Sequence, residues 1–140
     1  MARNVFADTS GLYALLDRND AIHQHARAQL DQIIRAGKRL ITTDYVVTET
    51  MNLANARGGR LVAARVLDLV EQSTGLRLEW IGPARFEEVK RFFRKHADHS
   101  FSFTDCSSFV VMRELKLTEA LTSDRHFIAA GFKALLTQST

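Results

Sequence analysis

The sequence predicts an α/β layer fold built around a parallel sheet. Short apolar runs with strand character alternate with longer segments whose apolar residues recur at spacings of three and four. Alternation of this kind along one chain is the pattern of strands joined by helices in a parallel sheet. A third observation adds a functional expectation. Acidic residues stand where strands end and helices begin, and open sheets of this class place their sites beyond the carboxyl ends of the strands.

Asn4 to Ala7 is the first strand candidate, and it delivers Asp8. Asp8-Thr9-Ser10-Gly11 reads as a turn with helix-capping chemistry. Leu12 to Leu16 follows as a short helix, and Asp17 to Asp20 as a polar turn. Ala21 to Ala36 is helical, with Ile22, Ala26, Leu30, Ile33 and Ile34 as its apolar face and Gly37 as its stop. Leu40 to Thr42 is the second strand. Thr43 or Asp44 caps a helix that runs to Arg57 and ends at Gly58-Gly59. Leu61 to Gln72 is the next helix, its apolar side made by Leu61, Ala64, Leu67, Leu69 and Val70.

Leu78 to Ile81 is the third strand. Gly82 breaks it, and Pro83 suits the first turn of a helix carrying Phe86, Val89, Phe92 and Phe93 and ending near His96. Thr104 to Leu115 is helical and apolar nearly all round, which predicts burial. Ala120 to Thr122 is a strand, His126 to Ala130 a short helix, and Phe132 to Leu136 a last strand candidate.

The 140 residues are 46% hydrophobic and 25% charged, with one proline and seven glycines. These values suit a single soluble domain over residues 1–140. Cys106 stands alone, so an intrachain disulfide is excluded. The opening residues lack the apolar core of a signal peptide, and no run approaches a membrane span, so a cytoplasmic location with no membrane association is expected. The net charge of +3 is compatible with a polyanionic partner without demanding one.

Four acids carry the functional reading. Asp8 ends the first strand, Asp105 opens the buried helix and Asp124 follows the strand at Ala120 to Thr122. Glu49 falls at the margin of the apolar stripe of its helix. Each has a plain structural role open to it, as a cap or a rim residue. Their convergence on one sheet edge argues for more. Clustered carboxylates repel one another unless a cation neutralises them. With no histidine or cysteine partner foreseen, such a set suits Mg²⁺ or Mn²⁺ better than Zn²⁺. Ser10, Thr104 and Ser123 flank the acids, either to orient carboxylates and waters or simply as caps.

Other residues read more simply. The pairs His23/His25 and His96/His99 are expected to be solvated, and Cys106 to be a small buried side chain. Arg57 and Arg60 form one loose basic set. Arg85, Lys90, Arg91, Arg94 and Lys95 form another. Either set is a solvated helix face or a contact for a phosphate backbone.

VFADTSGLYALLD, TTDYVVTETMNL, SFTDCSSFVVM and ALTSDRHF, in this order, resemble the acidic motifs of a PIN domain. The length is similar to that of VapC-type toxins from bacterial and archaeal toxin–antitoxin pairs. The resemblance implies parallel strands with helices on both sides, hence a three-layer, mainly parallel architecture that is often dimeric. It also implies a metal-dependent endoribonuclease, with Asp8, Glu49, Asp105 and Asp124 at the family's acidic positions and Ser10 at its turn hydroxyl. In this reading the four acids hold Mg²⁺ or Mn²⁺ for phosphodiester hydrolysis in RNA. The expected partners are an RNA substrate, a cognate antitoxin and a second copy of the chain. Two alternatives stand beside the toxin: a PIN nuclease of RNA processing, and a module that binds nucleic acid or protein without turnover.

Overall fold

The computed structural model describes residues 3–57 and 59–137. Strand β1 (Val5–Ala7) leads to helices α1 (Thr9–Leu16) and α2 (His23–Arg35). Strand β2 (Leu40–Thr43) leads to α3 (Asp44–Arg57) and α4 (Gly59–Gln72). Strand β3 (Leu76–Glu79) leads to α5 (Gly82–Lys95) and α6 (Phe103–Glu114). Strand β4 (Glu119–Leu121) is followed by α7 (Arg125–Ala129) and the edge strand β5 (Lys133–Ala134).

The five strands lie in the order β3-β2-β1-β4-β5, and every neighbouring pair is parallel. β1 is the centre, with Phe6 paired to Ile41 on one side and Ala120 on the other. Val5, Phe6 and Ala7 are wholly buried, as a strand covered on both faces requires. The chain runs outward from β1 to β3 and then returns to β4 on the far side of β1. Right-handed crossovers put the helices of these two excursions on opposite faces. Accordingly α1 packs with α2, α3 and α4, while α6 packs with α5 and α7. The result is three layers, with the reversal of strand order between β1 and β4. Crevices in open α/β sheets form at such a reversal.

α1 begins at Thr9, because the Asp8 carbonyl already accepts the Leu12 N–H at 2.9 Å. Close packing against β4 follows from Gly11, where a Cβ would sit 2.0 Å from the Leu121 carbonyl oxygen. β3 lies two residues before its expected position at Leu78 to Ile81. The Ile81 N–H donates to Asp44 Oδ1 at 2.8 Å, drawing the chain off the sheet toward α3 and leaving Trp80 exposed. Gly82 has φ +64°, and Pro83 occupies the first turn of α5.

Two helix faces differ from expectation. α4 buries Val62 and Val66 and exposes Leu61 and Leu67. α2 buries Ala26 and Ile33 and exposes Ile34. A periodic run this rich in apolar residues admits more than one inward face, and the layer beneath decides between them. Gly58, expected to help end α3, lies outside the described residues, whereas Gly59 adopts φ +75° at the start of α4.

Candidate active site

β1 carries Asp8 to the sheet edge at the N-cap position of α1, but its carboxylate makes no capping hydrogen bond. The side chain turns to β4 instead. A hydroxyl has one proton and two lone pairs, and Thr122 uses all three. It donates to Asp8 Oδ2 at 2.9 Å, accepts the Asp124 N–H at 3.0 Å and accepts the Ser10 hydroxyl at 3.1 Å. Ser10 Oγ accepts the Ser123 N–H at 3.0 Å. Burial pushes the Asp8 carboxyl up to about 7. The Thr9 amide and Thr122 hydroxyl oppose the shift, and the charges of Asp105 and Glu49 reinforce it.

Glu49 projects from the exposed side of α3, whose buried face is Val46, Thr50 and Ala54. Thr9 reaches across from α1 and donates to Glu49 Oε1 at 2.5 Å. The two residues after Asp8 thus serve two different acids: Thr9 holds Glu49, and Ser10 holds the hydroxyl that holds Asp8.

Asp105 lies in the first turn of α6 and is buried. It forms a capping box with Ser102: the Asp105 N–H donates to Ser102 Oγ at 2.9 Å, and the Ser102 N–H donates to Asp105 Oδ2 at 3.0 Å. The capping role and membership of the acidic cluster are therefore both present in one residue. Burial raises its pKa. The Ser102 amide opposes that shift, Asp124 adds to it, and His126 opposes it. Asp124 is the N-cap of α7, accepting the His126 N–H at 2.9 Å.

His126 corrects the expectation that no histidine joins the acids. Its Nδ1 lies 3.1 Å from Asp105 Oδ2 and 3.4 Å from Asp124 Oδ1. Asp105, Asp124 and His126 each offer a ligand atom within 4.8 Å of the others, a group that could hold a metal ion. The signal was local: a histidine two residues beyond a helix-capping acid shares its turn. Thr122 was missed too, because a β-branched residue at a strand end reads as strand propensity alone.

The flanking residues divide. Ser10 contacts the acid network through its hydroxyl, Ser123 through its backbone N–H. Thr104 makes no side-chain hydrogen bond to an acid among the described residues; its carbonyl accepts from Ser107 and Ser108. The pairs His23/His25 and His96/His99 join no metal-binding group among the described residues. His23 Nδ1 meets the Ala14 carbonyl oxygen and His96 Nδ1 that of Phe92. Burial pushes the Cys106 thiol up to about 11, which makes it a poor nucleophile.

Asp8, Glu49 and Asp124 line one open cleft of about 340 Å³ with Ser10, Tyr13 and Arg57. Asp105 lies near enough for its charge to act on Asp8. Each acid engages one carboxylate oxygen: Asp8 Oδ2 with Thr122, Glu49 Oε1 with Thr9, Asp105 Oδ2 with Ser102 and His126, and Asp124 Oδ1 with the His126 N–H. Asp8 also feels the Thr9 amide, while the second oxygen of Glu49, Asp105 and Asp124 makes no hydrogen bond among the described residues. A set of fixed carboxylates with open oxygens suits a hard cation.

Comparison with known proteins identifies the family. The model of the PIN domain family matches residues 5–133. The 23S rRNA-specific endonuclease VapC20 of Mycobacterium tuberculosis is 32% identical over 130 residues, spanning 91% of this chain and 95% of that protein. The crystal structure of VapC20, described as a sarcin–ricin loop cleaving toxin, superposes with a TM-score of 0.81 at 31% identity, covering 92% of this chain and 96% of the other. FitAcB from Neisseria gonorrhoeae superposes with a TM-score of 0.64 at 17% identity over 93% and 95% of the two chains, a likeness of fold alone. No helix of the described residues is long and apolar enough to cross a membrane. A family match from the first strand to the last, with a relative this similar over nearly the whole of both chains, establishes that the chain belongs to the PIN domain family.

Proposed function

We infer that the chain is a divalent-metal-dependent endoribonuclease, the toxin of a type II toxin–antitoxin pair, with residues 1–140 forming one nuclease domain. The observation that carries this reading is the set of four carboxylates from four elements, gathered where the strand order reverses, each fixed by a hydrogen bond to a neighbouring element or cap. The similarity to a 23S rRNA-specific endonuclease supports RNA as the substrate and makes the sarcin–ricin loop the first sequence to test.

The donor set fits Mg²⁺ or Mn²⁺. The free oxygens are hard ligands, and burial disfavours charge on Asp8 unless a cation compensates it. Asp8, Glu49, Asp105 and Asp124 would hold the ion, directly or through water. A divalent ion bound there supplies an acidified water and neutralises charge on the phosphodiester. The chain's own residues do the rest. Thr122 and Ser10 fix Asp8, Thr9 fixes Glu49, and the capping box fixes Asp105. Asp8, Glu49 and Asp124 share the cleft with Arg57, which would place a substrate phosphate beside these acids. The same reading carries a protein antitoxin, a homodimer and a cytoplasmic site of action.

The test uses purified protein with labelled sarcin–ricin loop RNA and an unstructured RNA, with Mg²⁺, with Mn²⁺ and with EDTA. Cleavage is expected in either metal, absent in EDTA and lost in Asp8→Asn and Asp105→Asn. Cleavage that persists in EDTA, or full activity in both variants, would overturn the metal-dependent reading. Growth arrest on expression, relieved by the product of a neighbouring gene, separates a toxin from a nuclease of RNA processing.

A further inference from the structure

His126 touches both C-terminal acids by different groups. Its backbone N–H donates to Asp124 Oδ1 at 2.9 Å, and its ring Nδ1 lies 3.1 Å from Asp105 Oδ2. On the other side of the ring, Nε2 lies 3.2 Å from Ser100 Oγ. Phe101 packs edge-to-face against the imidazole, with ring centroids 5.7 Å apart at 77°. Phe101 is itself buried, so the plane of the imidazole is fixed from the core.

The hydrogen-bond pattern assigns the protons. A carboxylate only accepts, so Nδ1 carries the proton that meets Asp105. In the neutral ring Nε2 is then an acceptor, and the Ser100 hydroxyl donates to it. Ser100, His126 and Asp105 therefore form a chain of donors directed at one carboxylate oxygen. Asp105 Oδ2 also takes the Ser102 N–H at 3.0 Å. Both donors are spent on Oδ2, and Oδ1 is left open. The Ser102 bond lies within α6's own cap, whereas the His126 bond comes from α7. Through it, α7 sets the rotation of Asp105 relative to Asp124.

Resting on the metal-dependent reading above, we propose that His126 is a positioning residue for the metal site: its Nδ1–H, steadied by Ser100 and Phe101, turns Asp105 so that Oδ1 faces the cation. The ring is not itself a ligand, because Nδ1 is committed to Asp105 and Nε2 to Ser100. Partners that orient metal-binding carboxylates and histidines commonly contribute about 10–100-fold in metal affinity. His126 also ties the two acids together, its ring Nδ1 on Asp105 Oδ2 and its backbone N–H on Asp124 Oδ1.

The experiment measures Mn²⁺ binding to the full chain without RNA, by calorimetry and by electron spin-echo spectroscopy, with a thermal melt of every variant. His126→Ala is expected to weaken Mn²⁺ by about 10–100-fold. His126→Asn, whose amide nitrogen replaces Nδ1, should recover most of the affinity, and His126→Gln, whose nitrogen reaches further, should not. Ser100→Ala should weaken Mn²⁺ less than His126→Ala does and shift the ring's ¹⁵N signals from the Nδ1–H tautomer toward a mixture. Wild-type affinity in folded His126→Ala would overturn the proposal. So would equal loss in Asn and Gln, or an imidazole ¹⁴N coupling to bound Mn²⁺, which would make His126 a ligand. These readouts need no turnover. Failure of RNA cleavage with the predicted affinity series intact would count against the nuclease reading alone, and metal-dependent cleavage with wild-type affinity in His126→Ala against this proposal alone.

Discussion

The buried Thr122 hydroxyl donates to Asp8 Oδ2 at 2.9 Å, joining residues 114 positions apart in sequence. It is the point at which β4 sets the geometry of the acid that ends β1. Thr122→Val keeps the shape and removes the hydroxyl, so Asp8 loses its donor while the Asp124 N–H and Ser10 lose their acceptor. Asp8 is the buried partner, and leaving one buried polar group unpaired typically costs about 1–3 kcal/mol. Urea unfolding should show a loss in that range, with Thr122→Ser recovering most of it. An unchanged unfolding midpoint in Thr122→Val would mean that the hydroxyl network contributes nothing to stability.

Asp8 gives the metal-free protein an unusual pH dependence. Its carboxyl rises from 3.8 to about 7 on folding, chiefly through burial. Between these values the folded chain holds a proton that the unfolded chain has released. Stability therefore falls as pH rises from about 4 to about 7 and levels off above. At about 1.4 kcal/mol per pH unit, the full effect is on the order of 4 kcal/mol. Thermal melts in EDTA should show the decline, and Asp8→Asn should reduce it, leaving the part that the raised Asp105 carboxyl contributes with the same sign. On the proposed metal-dependent reading, proton and cation compete for the same oxygens, so added Mn²⁺ should raise Tm more at pH 7.5 than at pH 5.5. A gain independent of pH would contradict this competition.

Gly11 sets how closely α1 approaches β4. The atom that a Cβ would meet at 2.0 Å is the Leu121 carbonyl oxygen, which is backbone and cannot rotate away. Gly11→Ala must push the helix off the sheet and, with it, Ser10 and the carboxylate of Asp8. Overpacking of this kind costs about 1–3 kcal/mol or more. The expected result is a lowered urea midpoint together with weakened Mn²⁺ binding. A variant as stable as the parent would show that α1 shifts freely and that its spacing from β4 does not set the site.

Strand ends and helix starts were legible because they follow from local chemistry. Asp8 after an apolar strand and Asp105 before an apolar helix are visible in short windows, whereas Glu49, expected at the margin of its helix's apolar stripe, lies on the exposed side. The three-layer parallel arrangement followed from alternation and from the resemblance those windows carry. Less visible was what joins them. Thr122, just past β4, bonds to the residue just past β1, and His126 bonds through its ring to a helix that begins more than twenty positions earlier. Neither contact has a periodicity to betray it. β3 was displaced for a similar reason: a tertiary hydrogen bond from Ile81 to Asp44 outweighed the local preference of Leu78 to Ile81 for strand. The exposed Leu61 and Leu67 show the same limit, since apolar residues on two sides of α4 left its rotation to the packing.

Arg57 is the basic residue lining the acidic cleft among the described residues, and it makes no side-chain hydrogen bond or ion pair there. Three members of the second basic set are already engaged. Arg85 bonds to Glu79 and Glu114, Lys90 to Glu87 and Arg91 to Glu88. Arg57 lies eight residues beyond Glu49 on α3, about 12 Å along the helix axis. On the proposed reading, a single-stranded RNA whose cleaved phosphate sits at the acids would lay a flanking phosphate on Arg57. Each phosphate neutralised on a single strand adds about 0.7 to the slope of log affinity against log salt. Binding of an unstructured RNA to Asp8→Asn protein, followed by anisotropy across a salt series, should lose about that much slope in Arg57→Ala. Arg57→Lys should restore it, and Arg60→Ala, on a side chain that lines a different cleft, should leave it unchanged. An unaltered slope in Arg57→Ala would send the RNA along another face.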